Sequence, residues 1–395
     1  MMFRRFVLFA TAALLAAVSL TGCASQGETS GGAEPVKIGA ILSLTGSYAA
    51  LGESEKNALE LEVSRINAAG GVGGRELELI IADDATDEAK AVAAATKLID
   101  QDGVVALIGA TGTGQTMAVR ETVNRAGIPQ ISMAGGTVVT KEFDPLVFQT
   151  PWSNTIVVPF VLDKVKADGH TKIAVLSDSG GYGKDGLAIL KETAGGAGLE
   201  IVAEETFNPG DADMTAQLTK IKNSGAQAVV MWTAGKEAVT VMKNAESLGM
   251  LVGEAAMPFY GGSGQARVEF GKGAGTAADG FVFGTGKSLV PENWGQGTPA
   301  YETVSDFAAR YSQAYAEQPD IFAGHAFDAV TLLADALASV EGEVDGAALR
   351  DALEQTSGVV GFGGTFTFSP TDHNGLTTED LSLYEFEGGA WKPLK

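Results

Sequence analysis

The chain has 395 residues, of which 45% are apolar and 19% are charged, and its formal net charge at pH 7 is −22. This composition is typical of a globular protein, and because one hydrophobic core rarely grows beyond about 250–300 residues, the length predicts two domains. The acidic charge repels phosphate groups, which argues against nucleic acid and anionic lipid surfaces as partners.

The N-terminus has the pattern of a signal peptide over residues 1–22. Two arginines precede an apolar run over residues 6–20, which is shorter than the roughly 20 apolar residues that a membrane span needs. The run ends in Leu20-Thr-Gly-Cys23. This tetrapeptide resembles the lipobox of bacterial lipoproteins, in which the cysteine sulfur is acylated and the chain is cut just before it. The alternative is a buried free thiol, and because Cys23 is the only cysteine, an internal disulfide is excluded.

Residues 23–35 form a polar segment rich in glycine and serine, which predicts a flexible tether behind a lipidated Cys23. Cleavage before Cys23 would remove two arginines and no acids, so the net charge of the mature chain would be −24.

Beyond the tether, short runs with the composition of strands alternate with helical patterns. One helical pattern places Leu59, Val63 and Ile66 on one face and ends at Gly70-Gly71, which is typical of a helix C-terminus. Alternating strands and helices predict parallel sheets with helices on both faces. The predicted strands cover residues 37–44, 77–82, 104–109, 130–134, 172–177, 228–233 and 280–284.

The alternation pauses at residues 144–154 and again at 284–299, where the chain is predicted to cross between two lobes. A third crossing is predicted near Val360, followed by an alternating segment and a hairpin over the C-terminal residues. Three crossings would form a hinge. The predicted lobes comprise residues 36–152 with 286–360, and residues 153–285 with 361–395.

The segment from Gly109 to Thr116 follows a predicted strand and opens a helix. It differs from a phosphate-binding P-loop because Gln115 replaces the lysine, which argues against nucleotide hydrolysis. The backbone N–H groups at the helix N-terminus, with the hydroxyls of Thr111, Thr113 and Thr116, predict a cradle for a small anion such as a carboxylate. Since an exposed helix end contributes only about 0.3–1 kcal/mol, such a site needs enclosure. An ordinary glycine-rich turn stays open as the alternative.

A second glycine-rich segment, residues 181–186, formally fits the dinucleotide pattern but begins five residues after its strand, whereas a dinucleotide turn follows its strand almost directly. Tyr182 within it is interpreted as an aromatic lid or hydrogen-bonding group. The alternative is that its ring only packs against neighbours.

Other constellations do not indicate catalysis or metal binding. His170, His325 and His373 are separate in the sequence and are interpreted as structural or solvated. The sequence contains no Gly-x-Ser-x-Gly nucleophile motif. An acidic cluster over residues 83–88 is better explained by a strand end and a helix N-cap than by calcium. We therefore expect no enzymatic activity, catalytic residue, metal or cofactor.

Several segments together resemble the branched-chain amino-acid (leucine/isoleucine/valine)-binding proteins of ABC importers. The resemblance implies an α/β type I periplasmic-binding-protein fold, in which two doubly wound parallel-sheet lobes are joined by three hinge crossings. It also implies an extracytoplasmic receptor, expected as a monomer, that closes on a small ligand and delivers it to a membrane permease. The matching segments are residues 37–46, 66–75, 83–87, 107–109, 172–176, 182–186 and 326–330.

The resemblance also implies contacts on one side of the ligand. The hydroxyl that holds the ligand carboxylate in the family falls on Thr113. The second carboxylate-side turn falls on Ala134 and Gly136, with Thr137 as the neighbouring hydroxyl. Tyr182 would face the ligand from the opposite lobe.

The chain departs from the family where an acid pairs with the ligand ammonium. The aligned position lies near Ser263, and the surrounding segment, residues 258–264, contains no acid. Because a buried ammonium without a counter-charge is costly, an amine-free carboxylate, an aromatic acid or an amide fits as well as an amino acid. Aromatic surface is expected from Tyr48, Tyr260, Trp152 and Trp232. A ligand-sensing receptor domain of the same fold and a nucleotide-binding enzyme stay open as alternative functions.

Overall fold

The structure is a computed structural model that describes residues 34–253, 256–342 and 344–394. The predicted signal peptide, Cys23 and nearly all of the tether lie outside the described residues. The described chain contains two large sheets, each covered by helices, which form the two predicted lobes.

The first lobe is built on a five-stranded parallel sheet with the order β2-β1-β3-β4-β5. Six of the seven residues of β1 are buried, as expected for a strand covered on both faces. The elements of this part of the chain are β1 (Val36–Leu42), α1 (Ala49–Ala68), β2 (Leu77–Asp83), α2 (Glu88–Lys97), β3 (Leu107–Gly109), α3 (Thr113–Ala126), β4 (Gln130–Ser132), α4 (Val138–Lys141) and β5 (Val147–Gln149).

The second lobe is built on a seven-stranded sheet with the order β14-β13-β10-β9-β8-β6-β7, in which β13 and β14 are antiparallel to their neighbours. Its first part comprises α5 (Asn154–Ala167), β6 (Lys172–Asp178), α6 (Gly181–Thr193), β7 (Glu200–Phe207), α7 (Thr215–Lys222), β8 (Ala228–Trp232), α8 (Glu237–Ser247), β9 (Phe259–Gly261), α9 (Val268–Ala274) and β10 (Val282–Gly286).

After β10 the chain returns to the first lobe, where α11 packs along α1. Helix α11 is long and apolar enough to cross a membrane, but 83% of its most apolar window is buried within the protein, so it is a core helix here. The remaining elements are α10 (Pro299–Tyr315), α11 (Ile321–Ser339), α12 (Gly346–Glu354), β11 (Val359–Val360), β12 (Thr365–Phe366), β13 (Leu381–Glu387) and β14 (Ala390–Pro393).

The third crossing lies further along the chain than the predicted position near Val360. Phe368 and His373 pack on Phe148 of β5, with ring centroids 5.3 and 3.9 Å from it. Asn374 donates from Nδ2 to the carbonyl oxygen of Pro151 at 2.7 Å. The chain joins the second sheet only at Leu381. The alternating segment therefore buries its aromatic residues against the first lobe before it crosses.

The segment that leads to the third crossing lies beside the other two crossings. Asn374 of this segment bonds the first crossing, as described above, and Ser288 of the second crossing donates from Oγ to the carbonyl oxygen of Phe362, in the same segment. The ring of Trp152, in the first crossing, covers Gly286, where a Cβ would lie 2.1 Å from Cη2 of the indole. A side chain at position 286 would therefore displace Trp152.

A buried carboxyl group ties α11 to the segment before the third crossing. Asp328 accepts hydrogen bonds from the backbone N–H groups of Phe362 at 2.6 Å and Gly363 at 2.7 Å. Replacing Asp328 with Ala leaves two buried N–H groups without an acceptor, at about 1–3 kcal/mol each. We expect the free energy of unfolding in urea to fall by at least about 2 kcal/mol.

The matched control is Asp335→Ala, on the exposed face of the same helix, which should change the free energy of unfolding by less than about 0.5 kcal/mol. Equal losses in the two variants would contradict the role given to Asp328.

Candidate functional site

A cavity lies between the two lobes, where the carboxyl ends of the parallel strands of both sheets face each other. Ligands bind at this edge in open α/β sheets. The cavity is narrow, with a volume of about 30 Å3, enough for the centres of one or two water molecules. A ligand of amino-acid size therefore enters only when the lobes part. The lining residues are Tyr48, Leu51, Thr111, Gly112, Thr113, Met133, Gly135, Pro151, Trp152, Tyr182, Ala234, Ser263, Gly264, Ile321, Phe322 and His325.

Thr113 is the first residue of α3 and follows the strand-to-helix turn that begins at Gly109. Gly109 has a φ of +111°, and a Cβ there would lie 2.3 Å from the carbonyl oxygen of Ile41, so only glycine fits. Thr113 is 2% exposed, and its hydroxyl has no hydrogen-bond partner among the described residues. The turn therefore presents one free hydroxyl and the N-terminus of α3 at the cavity.

The other two hydroxyls of the turn are used within the protein. Thr111 donates to the buried carboxyl of Glu55 and accepts from the backbone N–H of Ser43 at 3.0 Å. The hydroxyl of Thr116 lies 2.9 Å from that of Ser132. Of the three predicted hydroxyls, only that of Thr113 is free to bind a ligand.

Two further polar atoms without partners among the described residues belong to side chains of lining residues. They are Nε1 of Trp152 and Nδ1 of His325, whose residues are 2% and 1% exposed. The two rings lie with their centroids 5.5 Å apart. Burial lowers the pKa of His325 to about 3, so its imidazole is neutral at physiological pH.

The described lining contains no acidic or basic side chain other than this neutral histidine. Asp178 and Glu237 act on the phenol of Tyr48, whose pKa is raised by burial and by these two carboxylates, but neither of them lines the cavity. The cavity therefore offers neutral hydrogen-bonding groups and apolar surface.

Direct contacts between the lobes hold the cavity closed. Asp185 of α6 accepts from the backbone N–H groups of Thr137 at 2.7 Å and Val138 at 3.2 Å, at the start of α4 in the first lobe. On the other side, Ser47 donates from Oγ to Glu237 at 2.9 Å. The closed state is thus stabilised by contacts that involve no ligand.

Four of the eight predicted ligand-binding residues line the cavity: Tyr48, Thr113, Tyr182 and Ser263. Tyr182 does so from the N-terminal turn of α6 in the opposite lobe, as the resemblance implies. The roles of these four residues in binding stay predictions.

The turn after β4 supports the site from behind. A Cβ at Gly136 would lie 2.3 Å from Cγ2 of Thr113, so glycine there makes room for that side chain. Ala134 accepts from Nε2 of Gln149 through its carbonyl oxygen at 2.7 Å. Thr137, as described above, contacts Asp185. None of these three residues is part of the lining.

Tyr260 was expected at the ligand, and the structure places it elsewhere. Its hydroxyl donates to Asp168 at 2.7 Å, and its ring meets the edge of His170, in the turn between α5 and β6. Trp232 also lies outside the lining: its Nε1 donates to Oδ1 of Asn154 at 3.1 Å.

Sequence reasoning missed His325 as a cavity residue, and it treated Trp152 only as general aromatic surface. The other two histidines are structural: His373 stacks on Phe148, and His170 packs beside Tyr260. In the acidic cluster, Asp87 is the N-cap of α2 and accepts from the N–H of Lys90 at 2.9 Å. Among the residues that the structure describes, no group of three potential metal ligands is found.

Comparisons with known proteins agree with this architecture. The family model of periplasmic binding proteins matches residues 35–390. The Leu/Ile/Val-binding protein homolog 3 of Brucella melitensis is 27% identical over 376 residues, which cover 94% of this chain and 96% of that protein.

Two solved structures are similar over 91% of the chain, each with a TM-score of 0.80. One is a branched-chain amino acid transporter substrate-binding protein from Streptococcus pneumoniae in complex with isoleucine. Its sequence is 28% identical, and the match covers 99% of its chain. The other is an ABC-transporter solute-binding protein from Rhodopseudomonas palustris in complex with benzoate. Its sequence is 25% identical, and the match covers 95% of its chain. The predicted type I periplasmic-binding-protein fold and the resemblance to branched-chain amino-acid-binding proteins are confirmed.

The buried histidine predicts a pH dependence of stability. An unfolded histidine has a pKa of about 6.5, so between pH 6.5 and 3 the unfolded chain binds a proton that the folded protein excludes. The contribution of His325 to the free energy of unfolding is present above pH 6.5. It is lost as the pH falls below that value, at about 1.4 kcal/mol per pH unit. From pH 6.5 to 5 the free energy of unfolding should fall by about 2 kcal/mol through this residue.

Urea unfolding at pH 7, 6 and 5 measures this loss. In His325→Gln the free energy of unfolding should fall less steeply with decreasing pH than in the wild type. His170→Gln, at a half-buried position, serves as the control and should keep the wild-type slope. An unchanged slope in His325→Gln would contradict the assignment.

The contact of Asp185 with α4 predicts an effect on closure. In Asp185→Asn the amide can no longer accept from both backbone N–H groups, and each hydrogen bond to a charged group contributes about 1.5–3 kcal/mol. We expect a larger open fraction in the ligand-free protein, visible as a larger radius of gyration in small-angle X-ray scattering. The exposed residue Glu192 of the same helix provides the control Glu192→Gln. Identical scattering of Asp185→Asn and the control would exclude this role.

Proposed function

Since the chain belongs to the periplasmic binding protein family, we propose that it is the extracytoplasmic receptor of an ABC importer, with no catalytic activity of its own. It encloses a small carboxylate or amide ligand between its lobes and delivers it to a membrane permease. Closure is a hinge motion, and a ligand drives it only by binding the closed state better than the open one.

The observation that carries this proposal is the free hydroxyl of Thr113. It lies in the enclosed cavity at the N-terminus of α3, where backbone N–H groups and the helix dipole favour negative charge. An unpaired hydroxyl buried in a protein costs about 1–3 kcal/mol. A ligand carboxylate accepts the hydrogen bond that the hydroxyl lacks.

The same cavity favours a ligand without an ammonium group. The relatives named for leucine, isoleucine and valine, and the structure with isoleucine, concern amino acids that carry an ammonium, whereas the structure with benzoate concerns a ligand without one. Here Ser263 lines the cavity near the position of the family acid, and the described lining has no carboxylate. Burying an uncompensated ammonium costs several kcal/mol.

The proposed lobes follow the two sheets, with the third crossing between residues 376 and 381. A lipid anchor on Cys23 and the tether over residues 23–35 would keep the receptor near its permease. Support for the anchor comes from the lipobox-like sequence Leu20–Cys23, and support for the permease comes from the ABC-transporter relatives. We propose that the receptor acts as a monomer.

A ligand panel tests the proposal. Benzoate, other aromatic carboxylates, leucine, valine and benzamide are compared by thermal shift, because a ligand of the native state stabilises it by about 2.7 kcal/mol at a hundred times its Kd. We expect amine-free carboxylates to raise Tm most. Thr113→Val should weaken their binding about 10- to 150-fold, the equivalent of one hydrogen bond to a charged group.

Thr122→Val is the matched control, with the same substitution in α3 at a residue outside the lining. It should leave the Kd within about threefold. The proposal of an amine-free ligand fails if leucine or valine stabilises the protein most strongly. The role of Thr113 fails if Thr113→Val binds as tightly as the wild type.

A further inference from the structure

We propose that Trp152 and His325 form a second polar contact of the cavity, which selects a carboxylate that also carries an uncharged hydroxyl group on an apolar body. This inference rests on the proposed function, because the carboxylate end of the ligand is the end assigned to Thr113.

Both rings have unmet hydrogen-bonding capacity. The indole Nε1 of Trp152 can only donate, whereas Nδ1 of a neutral imidazole either donates or accepts, depending on the tautomer. Both atoms are buried without a partner among the described residues, and both side chains line the cavity. Buried polar groups in native proteins are paired in the large majority of cases, so a ligand group that pairs with both atoms accounts for their arrangement.

Both rings are also held in place. The indole covers Gly286, where no side chain fits, as described for the hinge. The backbone oxygen of His325 accepts from Oγ1 of Thr150 at 3.1 Å, which ties α11 to the first crossing. A preorganised pair of groups gives more selectivity than a mobile pair, because less ordering is needed on binding.

The rest of the lining is mostly apolar. Thr113 lies at the start of α3, whereas Trp152 lies in the first crossing and His325 in α11, so the two polar contacts belong to different elements. Most of the remaining side chains are apolar or aromatic, and they include Leu51, Met133, Pro151, Ile321 and Phe322. This surface suits an apolar ligand body that carries two separate polar groups.

The chemistry of the pair selects the second ligand group. A hydroxyl accepts from the indole N–H and donates to Nδ1 of the neutral imidazole, so it satisfies both atoms at once. An ammonium group only donates hydrogen bonds, so it could not accept from the indole N–H. A second carboxylate would place a charge beside a histidine that burial keeps neutral, with no cation in the described lining to balance it.

Isothermal titration with benzoate and its 2-, 3- and 4-hydroxy isomers tests the inference. We expect at least one isomer to bind the wild type about tenfold more tightly than benzoate, as two recovered hydrogen bonds predict. In Trp152→Phe and in His325→Phe this advantage, measured against benzoate in the same variant, should fall below about threefold. His325→Gln, which keeps a donor and an acceptor, should restore part of the advantage.

The comparison between isomers in the wild type needs no variant, so it remains decisive if Trp152→Phe fails to fold. Equal binding of benzoate and all three isomers overturns the inference and leaves the carboxylate receptor intact. An advantage that survives both phenylalanine variants also overturns it. If an isomer keeps its advantage in the wild type but Thr113→Val does not weaken binding, the proposed contact at Thr113 fails and the second polar contact stands. If none of the four acids binds, the second polar contact falls, and the wider ligand panel decides the carboxylate or amide receptor separately.

Discussion

The packing of Trp152 on Gly286 is the contact on which the hinge and the cavity both depend. A Cβ at position 286 would lie 2.1 Å from the indole, so only glycine at this position lets the second crossing pass the ring. Because protein interiors are close-packed and transmit small displacements, the position of this ring fixes the distance between two crossings and one wall of the cavity together. Movement of one lobe relative to the other therefore changes the environment in which a ligand contacts the indole.

Hydrogen bonding separates the groups that build the cavity from those available to a ligand. Thr111 and Thr116 flank Thr113 and have the same side chain, yet both are already paired within the first lobe. Asp185 and Glu237 are charged and close to the cavity, yet both are engaged in contacts between or within the lobes. The groups left available to a ligand are uncharged atoms with unused hydrogen-bonding capacity. They determine which ligand groups the cavity can bind.

Much of the fold could be predicted from the sequence, because apolar strands and amphipathic helices are local patterns. Each of the seven predicted strands overlaps a strand of the structure, whereas β5, β7, β9 and β11 were not predicted. Strand β5 has only three residues and lies within the stretch interpreted as a crossing. Strand β7, Glu200–Phe207, lies at a sheet edge, where exposed polar residues interrupt the apolar pattern.

The site was predictable only where a single turn carries the information. Thr113 and Tyr182 each follow a glycine at the start of a helix, and that local geometry is visible in the sequence. Tyr260 was misplaced because it lies within the three-residue strand β9, whereas the cavity lies beyond the carboxyl ends of the strands. The sequence of so short a strand does not show where the strand ends. His325 joins Trp152 only through tertiary packing, 173 positions along the chain, and no local pattern signals such a contact.

The hydrogen bonds of Asp185 to α4 have a consequence for how such a receptor can be tuned. They stabilise the closed state whatever ligand occupies the cavity, so they contribute the same free energy to closure around every ligand. A change at Asp185 thus multiplies the dissociation constants of all ligands by one factor and leaves their ratios unchanged. The overall strength of capture and the choice among solutes can therefore vary independently in this fold.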